Sequence, residues 1–195
     1  MVKRLKTKAW LTMLVCLLTG PGFVSSALAV DVDGLQLPDT YTFDGHTYAL
    51  NGAGTRYYSL FKIRVYSAGL YLRERTHDAA AILSSTETRI VHLEMRVDSK
   101  REDNQKAWTH YLRANCEAPC VLNSNSLDQF MQIQTNLHTG DTETYVFDAK
   151  GLSILRNDKP VQTIADPQFA RTVLSSWIGR VPSTESLKVQ LLGSK

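Results

Sequence analysis

The sequence lacks the short motifs that mark many catalytic and cofactor-binding sites. It contains no glycine-rich phosphate loop and no nucleophile elbow, so neither a nucleotide-binding loop nor an α/β-hydrolase serine can be assigned. Its five histidines are scattered, with no pair at i,i+4 spacing, and only three cysteines occur in 195 residues. Such scattered side chains do not favour a metal or haem site. We therefore expect no metal and no cofactor.

The chain also lacks an apolar run long enough to cross a membrane. Residues 10–18 are apolar, but a transmembrane helix needs about 20 such residues, and a Gly-Pro-Gly break follows. Four basic residues precede this run, and Ala27 and Ala29 form the small-x-small pattern of a cleavage site. Residues 1–29 are therefore predicted to be a secretory signal peptide rather than a membrane anchor. The remaining domain, residues 30–195, is expected in the periplasm, with no stable membrane anchor.

Once the predicted signal peptide is removed, the chain also lacks a marked excess of positive or negative charge. The full chain has 22 Lys and Arg against 19 Asp and Glu, but four of the basic residues and none of the acidic ones lie in residues 1–29. The mature chain then carries 18 basic and 19 acidic residues, a net charge of −1. This balance gives no reason to expect nucleic acid or an anionic membrane as a partner.

Two cysteines remain after the signal peptide is removed. Cys116 and Cys120, in "NCEAPC", are an even pair in an oxidising compartment, which predicts a disulfide at the end of a helix. The loop that it closes is small, so the entropic model of cross-linking gives only about 2 kcal/mol of stabilisation. The alternative is metal binding by this C-x-x-x-C pair, but a second ligand pair at zinc-site spacing is missing.

What is present is a pattern of alternating strands and turns. Residues 40–50 indicate a hairpin, residues 51–54 a turn or bulge, and residues 56–72 one long or two consecutive strands. Residues 89–97 alternate between apolar and polar side chains, which is typical of a strand with one buried face. Residues 142–164 indicate a three-stranded meander.

Helices are predicted between and after these strands. Ser99 and Glu102 indicate a capping box at the start of one helix, and a second helix is expected over about residues 126–137. Asp166 before Pro167 is typical of a helix start, and Ser183 is expected to open a last short helix. The order of strands and helices predicts the α+β class, with an antiparallel sheet and helices gathered on one face.

Four stretches of the sequence together resemble one protein family. They are "LNGAGTR", "VYSAGLYL", "SSWIGRVP" and "SLKVQLLG", which occur in this order over residues 48–193. They look like the chalcone isomerase-like proteins, in their exported bacterial branch. The resemblance implies an open-faced β-sandwich, in which a large antiparallel sheet is backed by a layer of helices. It also implies a cleft for an apolar, anion-bearing ligand, since plant members are flavonoid-forming isomerases or fatty-acid-binding proteins.

The resemblance assigns two ligand-binding residues. Arg56, in "GAGTR", matches the arginine that meets the ligand's oxyanion or carboxylate, and Tyr66 matches a tyrosine that joins it in the fatty-acid-binding relatives. Tyr58 shares strand parity with Arg56, so we also expect it to line the cleft. The structural alternatives are that Arg56 pairs with a carboxylate such as Asp44 or Glu94, and that Tyr66 is an ordinary core tyrosine.

The catalytic pattern of the isomerases is largely missing. An ungapped placement puts Glu102, Gln105 and Thr109 where the enzymes carry tyrosine, lysine and asparagine, and it leaves Tyr111 too far along the helix. Ala170 falls where the enzymes use a serine or threonine. Five helical aromatics are expected in the core between helices and sheet rather than in a ligand site: Trp108, Tyr111, Phe130, Phe169 and Trp177.

These observations favour a non-catalytic periplasmic binding protein for a fatty acid or similar apolar carboxylate. Arg56 and Tyr66 would hold the head group in the cleft between sheet and helices. Two alternatives stay open. One is an isomerase or lyase that acts on a phenolic, chalcone-type substrate. The other is an envelope protein with a protein partner and a vestigial cleft.

Overall fold

A computed structural model describes residues 29–116 and 120–194. The predicted signal peptide lies outside the described residues apart from Ala29. The chain begins with a two-stranded antiparallel ribbon, β1 (Ala29–Val32) and β2 (Leu35–Pro38). Among the described residues, no helix is long and apolar enough to span a membrane.

Seven strands form one antiparallel sheet in which the spatial order follows the chain order. They are β3 (Thr40–Phe43), β4 (His46–Tyr58), β5 (Ile63–Leu72), β6 (Arg89–Met95), β7 (Thr142–Asp148), β8 (Gly151–Arg156) and β9 (Lys159–Ile164). The described part of the chain also contains five helices: α1 (Ala79–Ser84), α2 (Arg101–Asn115), α3 (Ser124–Gln132), α4 (Pro167–Ile178) and α5 (Glu185–Leu191). This arrangement confirms the predicted α+β class, with its large antiparallel sheet and its helices.

The main core lies between one face of the sheet and the helices. Strand β6 shows why: Val91, Leu93 and Met95 are buried in this core, as their alternation predicted, while His92 and Glu94 point to the other face. Helix α4 is the most buried helix and packs against β7 and β8. A smaller apolar cluster covers the opposite face of the sheet, around Tyr48, Leu50, Tyr71, Ile90 and Val146.

Local sequence signals set the start of α4. The side chain of Asp166 accepts a hydrogen bond from the Phe169 amide, and Pro167 occupies the first helical position, as predicted.

The predicted capping box of α2 does not form. Lys100 is the N-cap residue without a side-chain bond, and the Ser99 hydroxyl donates to Asn104 Oδ1 instead. Thr184, not Ser183, caps α5.

Of the turn or bulge predicted for residues 51–54, the structure favours the bulge. Strand β4 runs through these residues with a register shift between Leu50 and Gly52. Glycine is required at position 52, because a Cβ atom there would lie 2.1 Å from the carbonyl oxygen of Gln190 in α5. The turn comes later, over residues 59–62, so Arg56 lies near the end of a long strand rather than at the head of the next one.

The disulfide between Cys116 and Cys120 is present, which confirms the pairing predicted from the sequence. Cys116 is the C-cap residue of α2. The bond therefore ties the end of this helix to the segment that leads into α3.

Candidate functional site

A cleft lies where α2 and α4 cover one end of the sheet. Its floor comes from the ends of four neighbouring strands, β4 to β7, which meet there because adjacent strands are antiparallel. Its mostly apolar walls include Trp108 from α2 and Trp177 from α4, whose ring centroids are 5.3 Å apart. The cavity measures about 80 Å³.

Arg56 and Tyr66 are brought together at this cleft by strand register. They are direct partners across β4 and β5, and both line the cavity. The guanidinium carbon of Arg56 lies 5.8 Å from the centroid of the Tyr66 ring, within the range of a cation–π contact.

The Arg56 guanidinium is only partly satisfied by the protein. Its Nη2 donates a long hydrogen bond of 3.5 Å to the Tyr111 hydroxyl, and its buried Nε has no hydrogen-bond partner among the described residues. In that part of the chain no carboxylate forms an ion pair with it, so neither Asp44 nor Glu94 serves as the structural partner considered from the sequence. A buried N–H without an acceptor costs about 1–3 kcal/mol.

The Tyr66 hydroxyl is held in place by two neighbouring side chains. Its hydroxyl accepts a hydrogen bond of 3.1 Å from Trp177 Nε1 and lies 3.2 Å from the Ser183 hydroxyl. Burial raises the pKa of the Tyr66 phenol, and the nearby Arg56 charge opposes that rise only in part. The phenol is therefore neutral near pH 7 and is unsuited to act as a general base there.

Tyr111 belongs to the site, although its position along α2 suggested otherwise. Its hydroxyl contacts Arg56 and donates to the Ser183 carbonyl oxygen at 3.3 Å. Asn104, Ala107, Trp108 and Tyr111 form the cleft-lining face of α2, at the i, i+3, i+4, i+7 spacing of one helical stripe. That spacing was the signal in the sequence that could have found Tyr111.

The residues expected at the catalytic positions of α2 do not line the cleft. Gln105 Nε2 donates to the Met131 carbonyl oxygen, and Thr109 Oγ1 donates back to the Gln105 carbonyl oxygen. Glu102 is exposed in the first turn of the helix. These three side chains therefore lie on a different face of α2 from the cleft-lining residues.

On α4, the residue matched to the enzymes' serine or threonine lies away from the cleft. Ala170 is buried in the main core and does not line the cavity. Ser176 does line it, and its buried hydroxyl has no hydrogen-bond partner among the described residues. The cleft thus contains a serine from α4 to which the sequence analysis had assigned no role.

Tyr58 lies outside the cleft. A register shift between Arg56 and Tyr57 ends the alternation on which its expected position depended, and Tyr58 is 61% exposed.

The five helical aromatics were expected in the core rather than in a ligand site, and this prediction holds only in part. Phe130, Phe169 and Trp177 are buried in the core, but Trp177 also lines the cavity, as do Trp108 and Tyr111.

A buried ion pair closes another side of the cavity. Arg156 Nη2 lies 2.7 Å from Glu143 Oε1, and the Tyr145 hydroxyl donates to Glu143 Oε2 at 2.7 Å. Burial and the neighbouring Glu143 carboxylate raise the pKa of Tyr145 well above its usual range. Both carboxylate oxygens of Glu143 thus have a partner in the protein, so this side chain is not available as a base.

Comparison with known proteins shows which family has this architecture. The model of the chalcone isomerase-like family matches residues 29–193. The chain belongs to this family. A fatty-acid binding protein of Arabidopsis thaliana has a similar solved structure, with a TM-score of 0.67 and 15% sequence identity over 82% of this chain and 92% of that one. At this identity the likeness shows the fold alone. No curated protein sequence matches the chain.

In this chalcone isomerase-like cleft, the polar groups near Arg56 are mainly donors. The Arg56 guanidinium, the Tyr66 phenol and the Ser176 hydroxyl can each offer a hydrogen to an acceptor. The rest of the lining is largely apolar side chains, among them Val65, Leu93, Met95 and Leu137. A positive charge with surrounding donors beside an apolar wall suits an anion attached to a hydrocarbon group.

Proposed function

We propose that this chain is a non-catalytic periplasmic binding protein for a fatty acid or similar apolar carboxylate. The observation that carries the proposal is the Arg56 guanidinium, which lines the cleft with an unpartnered Nε and no ion-paired carboxylate among the described residues. A carboxylate at this place would supply the missing acceptor and a negative charge together. The fatty-acid binding protein of similar fold supports this class of ligand.

The size of the cavity bears on the part of the ligand that it can enclose. At about 80 Å³ it is roughly half the ~150 Å³ of an engineered cavity that binds benzene. The carboxylate and the first carbons therefore fill it, and a longer tail requires the apolar side chains of the wall to move. Met95 is suited to such a movement, because its side chain is unbranched and has three rotatable bonds.

The chemistry of the cleft supports binding over turnover. A phenolic substrate of an isomerase needs a base that accepts a proton near neutral pH. Tyr66 stays protonated because its pKa is raised, and Glu143 is engaged by Arg156 and Tyr145. We expect no turnover of a chalcone.

A second candidate is an envelope protein that acts through a protein partner. The observation that favours it is the small cavity, since ligand pockets typically measure about 300–1,000 Å³. This candidate predicts that the cleft takes no ligand at all, so the same experiment separates the two.

Native mass spectrometry of the mature chain, produced by export to the periplasm, tests the proposal. Titration with a series of straight-chain carboxylic acids is compared with alcohols of the same chain lengths. We expect the acids to bind at least tenfold more tightly than the matched alcohols, because only the acids offer a charged partner to Arg56. Equal binding of acids and alcohols would remove the proposal that Arg56 selects a carboxylate. No binding of either would favour the protein partner.

A further inference from the structure

The tip of the β4–β5 hairpin is an exposed apolar surface. We define this tip as residues 58–63. Leu60 is fully exposed, Phe61 is 89% exposed, and Tyr58 and Ile63 are exposed by 61% and 45%. Four of the seven large apolar side chains that are exposed in the described chain thus gather in six consecutive residues. Single exposed apolar residues are ordinary, but a cluster marks an interaction site.

The turn holds its two apex side chains away from the domain. Ser59 and Lys62 adopt left-handed backbone conformations, with φ of 63° and 50°, although neither is glycine. The Lys62 amide donates to the Ser59 carbonyl oxygen at 3.1 Å, and the Phe61 amide donates to Ser59 Oγ at 3.3 Å. The tip is therefore a defined turn, with Leu60 and Phe61 at its apex.

Basic residues flank the apolar apex. Lys62 and Arg64 are both exposed, and Arg64 interacts electrostatically with Asp33 in the β1–β2 turn. The net charge of the chain does not drive contact with an anionic surface. The local pattern does, because it places cations beside two apolar side chains at one projecting point.

The tip also lies at the end of the sheet that carries the cleft. Leu60 is four residues beyond Arg56 along the chain, which is on the order of 13 Å for extended backbone. The cleft residues of β5, β6 and β7 come from the same end of the sheet. Contact through the tip would therefore bring the Arg56 end of the cleft to the surface that is contacted.

We infer that the tip is a membrane-docking element. Leu60 and Phe61 enter the boundary between head groups and acyl chains of an anionic bilayer, while Lys62 and Arg64 contact lipid phosphates. The apex offers on the order of 400 Å² of apolar surface, about half of the ~800 Å² that each side of a stable protein interface covers. A bilayer accepts so narrow a projection without a shaped partner surface. The inference does not depend on the ligand proposed for the cleft.

Flotation of the mature chain with lipid vesicles tests this inference. The vesicles contain phosphatidylethanolamine and phosphatidylglycerol, and neutral phosphatidylcholine vesicles serve for comparison. We expect the protein to float with the anionic vesicles, and the Leu60→Ser/Phe61→Ser variant to partition at least tenfold less. Lys62→Glu/Arg64→Glu should also lower partitioning. Val121→Ser is the matched control, since Val121 is 78% exposed at another part of the surface and should leave flotation unchanged.

Arg56→Ala separates this inference from the proposed function. It should weaken acid binding but float as the unchanged protein does. The inference is overturned if the unchanged protein stays with the lipid-free fraction for every vesicle, or if the Leu60/Phe61 variant floats equally well. It is also overturned if the unchanged protein ignores vesicles and the same variant converts a dimer into a monomer on size exclusion, which would make the tip a self-association contact.

Discussion

Arg56 and Tyr66 face each other across β4 and β5, with the guanidinium carbon 5.8 Å from the centre of the phenol ring. The ring offsets part of the cost of the partly buried charge, since a cation–π contact is worth about 0.5–2 kcal/mol. It does not neutralise the charge as a carboxylate would. The Arg56 charge is therefore stabilised by an aromatic ring but has no negative partner, and it lies beside an apolar cleft. For this reason we propose an apolar carboxylate as the ligand.

Replacement of Arg56 by alanine should weaken the binding of an apolar carboxylate by about 1.5–3 kcal/mol, the range for a hydrogen bond to a charged group. Arg56→Lys should give an intermediate loss, because lysine keeps the charge but lacks the planar fork. Calorimetric titration with a medium-chain acid measures both. The exposed Arg64→Ala is the control and should bind normally. An unchanged dissociation constant in a folded Arg56→Ala protein would contradict the head-group assignment.

Tyr66→Phe should reduce both stability and binding. It removes the acceptor of the Trp177 indole N–H, and a buried donor without a partner costs about 1–3 kcal/mol of unfolding free energy. Urea denaturation measures this loss. Tyr41→Phe is a matched control, because the Tyr41 hydroxyl has only a 3.3 Å contact with Thr144 outside the cleft. Equal stability of the two variants would mean that Trp177 finds another acceptor.

Stability should fall in alkaline solution because of the buried tyrosines. Burial raises the pKa of Tyr66 and of Tyr145 in the folded protein, while both titrate near pH 10 in the unfolded chain. The unfolded state then binds fewer protons above that pH, so the stabilisation is complete below about pH 10 and is lost as pH rises toward the folded pKa. Urea unfolding between pH 8 and 11 measures the decline, which should be shallower for Tyr66→Phe. A flat profile to pH 11 would contradict the burial of these phenols.

Removal of one partner of the Glu143–Arg156 ion pair should strongly lower the free energy of unfolding. Arg156→Met leaves the Glu143 carboxylate buried without its cation, which typically costs about 3–5 kcal/mol of unfolding free energy. The double variant Glu143→Gln/Arg156→Met should recover part of that loss. The exposed pair of Arg73 and Glu87, 3.7 Å apart, is the comparison, and Arg73→Met should cost less than about 1 kcal/mol. Equal costs for Arg156→Met and Arg73→Met, measured by urea denaturation, would show that Glu143 is well solvated.

The disulfide should make a small contribution to stability. Replacement of Cys116 and Cys120 by serine should lower the unfolding free energy by about 2 kcal/mol, because the closed loop is short. Addition of a reductant to the unchanged protein should produce the same loss, and the chain should remain folded in both cases. Loss of cooperative unfolding in the double variant would mean that the disulfide stabilises the whole domain and not only the end of α2.

Much of the fold could be predicted because its signals are local. The alternation in β6, the Asp166 cap with Pro167, and the proximity of the two cysteines each depend on residues close together in the chain. Such patterns determine which face of a strand is buried and where a helix begins, before any tertiary contact is known. At residues 51–54 the sequence left a turn and a bulge open, and a tertiary contact decided between them, because the glycines there let α5 approach β4.

By itself, the sequence determined the class of fold, the order of most of its elements and the disulfide, and its resemblance to a family assigned Arg56 and Tyr66 to one cleft. Only the tertiary structure decided that Tyr111 and Ser176 join them, that Tyr58 does not, and that the cavity is small. The reason is geometric. Each residue turns an α-helix by about 100°, so a shift of one or two positions exchanges one helix face for another. A bulge in a strand reverses side-chain parity in the same way, and neither register is set by residues close together in the chain.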